Sequence, residues 1–497
     1  MSTPLTLDAG ARPTPAFLDG PTKGLLIDGA WTAARSGVAF DTRDPATGEV
    51  LASVSAAGAE DVDLAVAAAR RAFEDPSWAD ITPYRRSRIL LQIADVLEAH
   101  TEELAVLDSL DMGGPLWMTR WLVEHSVEVF HHYAGWPTKI YGQTAPSAPS
   151  VFSYTLRQPL GVVGAITAWN GPVLQLAWKL GPALATGNTV VAKPAAWSPL
   201  TALRIGELLL ETDLPRGVVN IVTGDGTTGE AITNHPDVDK ISFTGSLAVG
   251  KRILEVSSKD LKRVTLELGG KSPTIVFDDA DLEAAARGAV AGFAQGSGEG
   301  SGEGCVAGTR IFVQESVRER FRELLVREMA AYALGDPFHP DTRMGPLASP
   351  QHFARVSSYL DVARAEGGVL TTAGELGHGL YMPPTLVENV GADARVVREE
   401  IFGPVAALMT FTDTEDAVAQ GNDTIYGLSA SVWTTNLERA HRVASGLRVG
   451  TVWVNAYADM TAGSVPFGGF KQSGIGREHG IEVLDAYTET KTVTVHL

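Results

Sequence analysis

The chain has 497 residues, 44% of them hydrophobic. That is more than one core can use, because single cores stop growing at roughly 250–300 residues, so at least two large domains are expected. Forty Lys and Arg against 59 Asp and Glu leave a net charge of −19, which repels phosphate backbones and anionic lipid and argues against nucleic-acid and membrane-surface roles.

Residues 1–23 are rich in Ala, Pro and Thr, without the apolar run of a signal peptide or the arginines of a transit peptide, and read as a flexible arm. From Asp61 to Ala72 and from Tyr84 to Leu110, apolar residues recur every three or four positions among charges, the pattern of amphipathic helices. Tyr141–Arg157 mixes Ser, Pro and β-formers, and Tyr487–His496 alternates Thr and Val. The two segments suit an oligomerisation flap, or a loop and a frayed tail.

After Pro159 short β-branched runs alternate with helical stretches: Gly161–Thr167, Thr189–Ala192, Val218–Val222 and Lys240–Phe243. A second series follows Glu267, with strands expected at Thr274–Phe277, Thr309–Val313, Ala406–Phe411 and Thr451–Val454 and a helix at Val317–Ala333. Strand–helix alternation of this kind indicates parallel sheets, hence an α/β fold with two domains. The most apolar stretch, 161–192, is interrupted by Asn170, Pro172, Gln175, Lys179 and Pro182, too often for a membrane span.

Several segments could carry chemistry. Gly224-Asp225-Gly226-Thr227-Thr228-Gly229 follows a strand, as does the turn Thr244-Gly245-Ser246 reaching Gly250. Each fits a phosphate-binding helix start or an ordinary βα turn. Trp169-Asn170 ends another strand and offers an amide donor to an oxyanion, or packs as a turn. Glu267 sits between Leu266 and Leu268, where desolvation would raise its pKa towards that of a general base. Cys305 is the single cysteine, flanked by Gly304, Val306, Ala307 and Gly308. No disulfide can form within the chain, which suits a reducing, cytoplasmic setting, and small neighbours give access to a sulfur that is reactive only as thiolate. The eleven histidines show no metal-ligand spacing, and no metal is expected.

Trp169-Asn170, Lys193-Pro194, Phe243-Thr244-Gly245-Ser246, Glu267-Leu268-Gly269-Gly270, Cys305, Glu400-Ile401-Phe402-Gly403-Pro404 and Pro466-Phe467-Gly468-Gly469 stand in this order along the chain. In that respect it resembles the aldehyde dehydrogenase superfamily, of the non-acylating, NAD(P)-dependent kind, from about Leu25 to Val495. The resemblance implies a Rossmann-like cofactor domain (24–140 and 159–266), an α/β catalytic domain (267–480) and a small β oligomerisation flap (141–158 and 481–497). It implies an aldehyde as substrate, NAD or NADP as cofactor, and a homodimer or homotetramer.

By the same resemblance Cys305 is the nucleophile, Asn170 and the Cys305 N–H form the oxyanion hole, and Glu267 activates the water that hydrolyses a thioester. Lys179 and Glu478 are implied as a proton path. Cofactor contacts are implied for Thr167, Trp169, Asn170, Lys193, Ala196, Gly226, Phe243, Gly245, Ser246, Val249, Gly250, Leu268, Glu400 and Phe402. Gly171, Trp178 and Phe467 would line the substrate tunnel.

The sequence departs from the family pattern in three places. Ala196 stands where a glutamate usually binds the adenosine ribose, which leaves NADP open. Gly171 replaces a residue that is often aromatic, widening the tunnel towards bulky aliphatic or aromatic aldehydes. A tandem GSGE over residues 296–304 looks one unit longer than usual before Cys305, and Glu303 would oppose a thiolate. Two alternatives therefore stand beside hydrolysis: an acylating, coenzyme A-dependent relative, and a catalytically impaired binding or structural relative.

Overall fold

The computed structural model describes residues 12–296, 300–374, 379–458 and 463–497. Two large sheets organise the chain, each made of strands that alternate with helices, so the fold is α/β as expected. The first has eight strands, in the spatial order Gly474–Ile475, Arg263–Glu267, Lys240–Thr244, Val162–Ile166, Thr189–Lys193, Val219–Ile221, Leu25–Ile27 and Ala30–Thr32. Its five central strands are parallel and buried at nearly every position, because helices cover both faces.

The helix Pro172–Thr186 is buried along its whole length, which explains why 161–192 is so apolar without spanning a membrane. Among the described residues no helix is long and apolar enough to cross one.

The second sheet has seven strands, Val369–Thr372, Thr385–Glu388, Val405–Phe411, Arg310–Gln314, Pro273–Val276, Ser429–Trp433 and Thr451–Val454, of which the first pair is antiparallel. Its core includes Phe293, Ile311, Phe321 and Trp433. A third sheet is small: Thr488–His496 pairs with Val151–Pro159 along nine positions, and Thr144–Ala145 adds to the other edge. A second link joins the halves of the chain. Gly474–Ile475 pairs antiparallel with the end of Arg263–Glu267, which ties the segment around Glu478 to the strand that carries Glu267.

Two expectations change. The helical stretch Tyr84–Leu110 is two helices, Pro83–Ala99 and Thr101–Met112, broken at His100. Residues 12–23, expected within a loose arm, lie against the body: Arg12 bridges Asp44 and Asp336, and Ala16–Leu18 forms a single 3-10 turn. Residues 1–11 of that arm lie outside the described residues.

Phe293 is fully buried and packs behind the Cys305 loop. Phe293→Ala should destabilise the protein by about 3–5 kcal/mol, read as a lower urea midpoint for the transition that reports the second sheet.

Candidate active site

The chain-derived candidates converge at the carboxyl ends of the parallel strands, where open α/β sheets bind ligands. Val162–Ile166 runs into Thr167–Gly171, Thr189–Lys193 ends at Lys193, Lys240–Thr244 ends beside Gly245, and Arg263–Glu267 ends at Glu267.

Asn170 is buried and held on both sides of its amide. Gln175 Nε2 donates to its Oδ1 at 2.8 Å, and its own Nδ2 donates to the Glu303 carbonyl at 2.7 Å, two residues before Cys305. One of the two amide hydrogens is thus spent on fixing the cysteine loop. Cys305 itself is half-buried.

The approach to it is built tightly. Gly302 has φ +70°, and a Cβ there would lie 2.6 Å from the Gly403 carbonyl carbon, the Phe293 oxygen and the Pro404 nitrogen, so only glycine fits. Ser301 Oγ donates to the Gly345 carbonyl at 2.7 Å. Glu303, expected to disfavour a thiolate, turns its carboxylate to Ala348 N at 3.0 Å and lies 3.5 Å from His352. The second GSGE unit is therefore packed inward, and the first falls partly on residues 297–299, outside the described residues.

Glu267 is 3% exposed, and neither carboxylate oxygen has a hydrogen-bond partner. Burial pushes its pKa well above the ordinary carboxylate range, and Glu478 pushes it the same way, against weaker opposition from Lys179 and Arg477. A Cβ at Gly468 would meet its Oε1 at 2.7 Å, so the Pro466–Gly469 turn closes over it. Beneath lie Lys179 and Glu478, both fully buried and paired at 2.8 Å, with Ser242 Oγ donating to the same Glu478 oxygen at 3.2 Å.

The two glycine turns differ electrostatically. Asp225 caps the helix Gly226–Asn234, accepting from Thr227 N at 2.8 Å, so that helix start already holds a carboxylate. The helix Leu247–Ser257 is capped by the neutral, exposed Ser246 and offers the better seat for an anion. Gly245 lies against the Phe243 ring and Gly250 against Leu268, where a Cβ would come within 2.5 and 2.6 Å. Val249 is exposed on the first turn of the same helix.

Lys193 is buried with its amine on the Pro194 carbonyl at 3.1 Å, and burial lowers its pKa to about 8 despite Asp225. Its backbone carbonyl accepts from Thr167 N at 3.1 Å, and Ala196 is half-buried beyond it. Glu400 accepts from Gly270 N at 3.1 Å, and burial raises its pKa to about 7. A side chain at Gly269 would overlap that carboxylate. Phe402 has φ +63° and stands edge-on to Trp169 at 5.3 Å.

The model of the aldehyde dehydrogenase family matches residues 31–493. This chain belongs to the aldehyde dehydrogenase family.

The enzyme is 45% identical over 489 residues to DhaS of Bacillus subtilis (strain 168), itself provisionally named an aldehyde dehydrogenase, with 97% of each chain covered. It superposes on the NAD+ complex of an aldehyde dehydrogenase from Bacillus cereus with a TM-score of 0.95 at 43% identity, over 99% of this chain and 100% of that one. An indole-3-acetaldehyde dehydrogenase mutant from P. syringae, in complex with NAD+ and IAA, matches at a TM-score of 0.93 and 40% identity, over 96% and 97%. The chain is thus an aldehyde dehydrogenase oxidoreductase of the NAD(P)-binding kind.

In this aldehyde dehydrogenase two of the three tunnel candidates are in contact. Trp178 tilts against Phe467 at 5.4 Å and meets the buried His479 at 4.5 Å. Gly171 has φ +138°, and a Cβ there would find only Gln175 Nε2, at 3.9 Å, so open space lies where a side chain would project.

Sequence reasoning missed Gln175, His352 and Arg477. His352 Nε2 donates to the Phe402 carbonyl at 2.6 Å and the ring is boxed by Trp169 and Phe402, and burial lowers its pKa to about 4. No local spacing signals it, because its partners lie 49–183 positions away in the chain. Gln175 was legible as a polar residue in the apolar stretch but was read only as an interruption.

Glu267 carries a proton more firmly in the fold than in the unfolded chain, so its ionisation costs stability as pH rises from its unfolded pKa through its raised folded one. Glu267→Gln should therefore be more stable than the parent by about 1–3 kcal/mol at pH 8. The gain should shrink towards pH 4.5, measured as paired melting curves.

Proposed function

We propose that the enzyme oxidises a bulky aliphatic or aromatic aldehyde to the carboxylic acid through a hemithioacetal and then a thioester on Cys305. The observation that carries the reading is the buried carboxylate of Glu267, whose two oxygens are unbonded above a lysine–glutamate pair. The Cys305 thiolate adds to the carbonyl carbon, and Asn170 with the Cys305 N–H polarises the developing oxyanion. Collapse of the hemithioacetal expels hydride. Water then loses a proton to Glu267 and adds to the thioester carbon, the C–S bond breaks, and the thiolate returns.

The residues present fit a nicotinamide dinucleotide. The Gly269 cradle under Glu400 and the buried amine of Lys193 suit ribose hydroxyls, and the neutral cap at Ser246, with Trp169, suits the pyrophosphate. Phe402 would flank the nicotinamide, and Gly226 leaves room beside the adenine end, where a Cβ would meet nothing within 4 Å. When bound, the dinucleotide supplies the hydride acceptor. NAD serves best, with NADP tolerated because Ala196 presents no carboxylate to a 2′-phosphate.

The open space beside Gly171 and the apolar rings of Trp178 and Phe467 favour bulky apolar substrates. The three-stranded flap exposes Phe152, Leu156, Val495 and Leu497 and supports a homodimer or homotetramer, in the cytoplasm. A coenzyme A-dependent route has less use for a buried base such as Glu267, and the inward packing of Gly300–Gly304 supports a working rather than a silenced enzyme.

Absorbance at 340 nm on mixing the enzyme with hexanal or benzaldehyde and NAD should rise for the parent and stay flat for Cys305→Ala. Glu267→Gln should give about one NADH per subunit and then stall. A flat parent trace with every pair would sink the reading. Ala196→Glu should raise KM for NADP about tenfold or more, by like charge against the 2′-phosphate, with NAD kinetics little altered.

A further inference from the structure

A column of polar side chains runs through the first sheet where apolar packing would be expected. In the parallel register Ser242 lies opposite Thr265 and Thr244 opposite Glu267. Side chains on a strand alternate faces, so Lys240, Ser242 and Thr244 share one face with Thr265 and Glu267. Lys240, Ser242, Thr265 and Glu267 are each 0–3% exposed. Doubly covered strands ordinarily carry Val, Ile and Leu throughout.

The opposite wall is polar as well. It holds Lys179 and Glu478, paired at 2.8 Å, and the fully buried hydroxyls of Tyr133 and Tyr487. Both Glu267 oxygens, Thr244 Oγ1, Glu478 Oε2 and the two tyrosine hydroxyls are buried without a protein hydrogen-bond partner. Buried polar atoms in such a row are ordinarily joined by internal water, which makes a continuous route for a proton.

The far end of the column is Lys240. It is fully buried, with its amine 2.5 Å from Thr265 Oγ1 and 4.7 Å from the centroid of the Tyr487 ring, and no salt bridge reaches it among the described residues. Ser242 lies two residues on, donating to Glu478 and standing beside the Tyr487 hydroxyl.

We propose that Lys240 is the terminal acceptor of the proton that Glu267 takes from water during thioester hydrolysis, reached through Glu478, Ser242 and Tyr487. The inference rests on the hydrolytic reading given above. In the step, the water O–H bond breaks as its oxygen bonds the acyl carbon, and the C–S bond breaks to free the thiolate. The proton passes from the Glu267 carboxyl to Glu478 and on to the neutral Lys240 amine, which becomes an ammonium and discharges to solvent before the next turnover. Lys240 acts through the two carboxylates and touches no substrate.

The electrostatics suit a residue that changes charge. The groups facing Lys240 are Glu478, which favours its ammonium, Lys179, which opposes it, and the ring of Tyr487. Burial dominates and lowers its pKa to about 7, so the amine can gain and lose a proton near neutrality. A lysine kept only to stack on Tyr487 would serve as well if it stayed charged.

The test follows acyl-Cys305 directly. Enzyme in excess is mixed with hexanal and NAD, quenched at intervals between pH 6 and 9, and the mass of the acylated subunit is recorded. Lys240→Met should form the adduct with its NADH and lose it at least about tenfold more slowly at pH 7, the lower end of what a positioned proton acceptor contributes. The deficit should narrow towards pH 9, where hydroxide relieves Glu267 directly. Tyr487→Phe should show the same pH-dependent lag to a smaller degree, and it decides the matter if Lys240→Met does not fold. Parental decay with a parental pH profile in the variants, or slowing by one constant factor at every pH, overturns the proposal. Failure of the parent to acylate Cys305 would instead overturn the hydrolytic reading beneath it.

Discussion

Two carboxylates and one ammonium share a space closed to solvent under the Pro466–Gly469 turn, and the rest of the site is arranged around that fact. Glu267 is held without hydrogen bonds, its ionised form opposed by Glu478 and by burial, while Lys179 is committed to Glu478 at 2.8 Å. Isolated charges in such a place are costly unless they are paired or neutralised. Lys179 pairs with Glu478, and Glu267 is left without an ion-pair partner among the described residues. The arrangement costs stability and supplies a carboxylate whose proton affinity is raised well above that of an ordinary carboxylate, the direction wanted of a general base.

That space exists because of the topology. The strand Arg263–Glu267 ends at Glu267, and its neighbour on the outer side is Gly474–Ile475, contributed by a part of the chain two hundred residues later. This short antiparallel pairing brings Glu478 and the Pro466–Gly469 turn over the end of the strand. Similar long-range fixing governs the cysteine loop: Asn170 holds the Glu303 carbonyl, Ala348 holds the Glu303 carboxylate, and Gly302 passes the Gly403–Pro404 backbone too closely for any side chain. The loop is glycine-rich because its path is crowded, and crowding offsets the entropy that so much glycine would otherwise cost.

The cofactor side shows how two similar turns acquire different uses. Both follow a strand and open a helix, and both read alike as glycine patterns. In one the first helical turn is occupied by the Asp225 carboxylate, and in the other the cap is a serine hydroxyl. An anion is repelled at the first and accepted at the second.

Much of the fold was legible in the sequence, since periodicity is a local property. The β-branched runs after Pro159 and after Glu267 became parallel strands, because continuous apolar segments must be covered on both faces. The flanked residues Glu267 and Cys305 stood out for the same local reason. Residues 12–23 and the break at His100 were not legible, because the ion pairs of Arg12 and the change of direction between two helices depend on partners elsewhere in the chain. Tertiary structure alone decided which polar residues meet. Glu303, two residues before Cys305 in sequence, turns its carboxylate to Ala348, His352 enters the site from a helix with no signal of its own, and Lys240 shares a sheet face with Glu267. A sequence specifies the chemistry each position can perform and the period on which it folds, whereas the charge a buried group carries is set by which distant groups the packing places beside it.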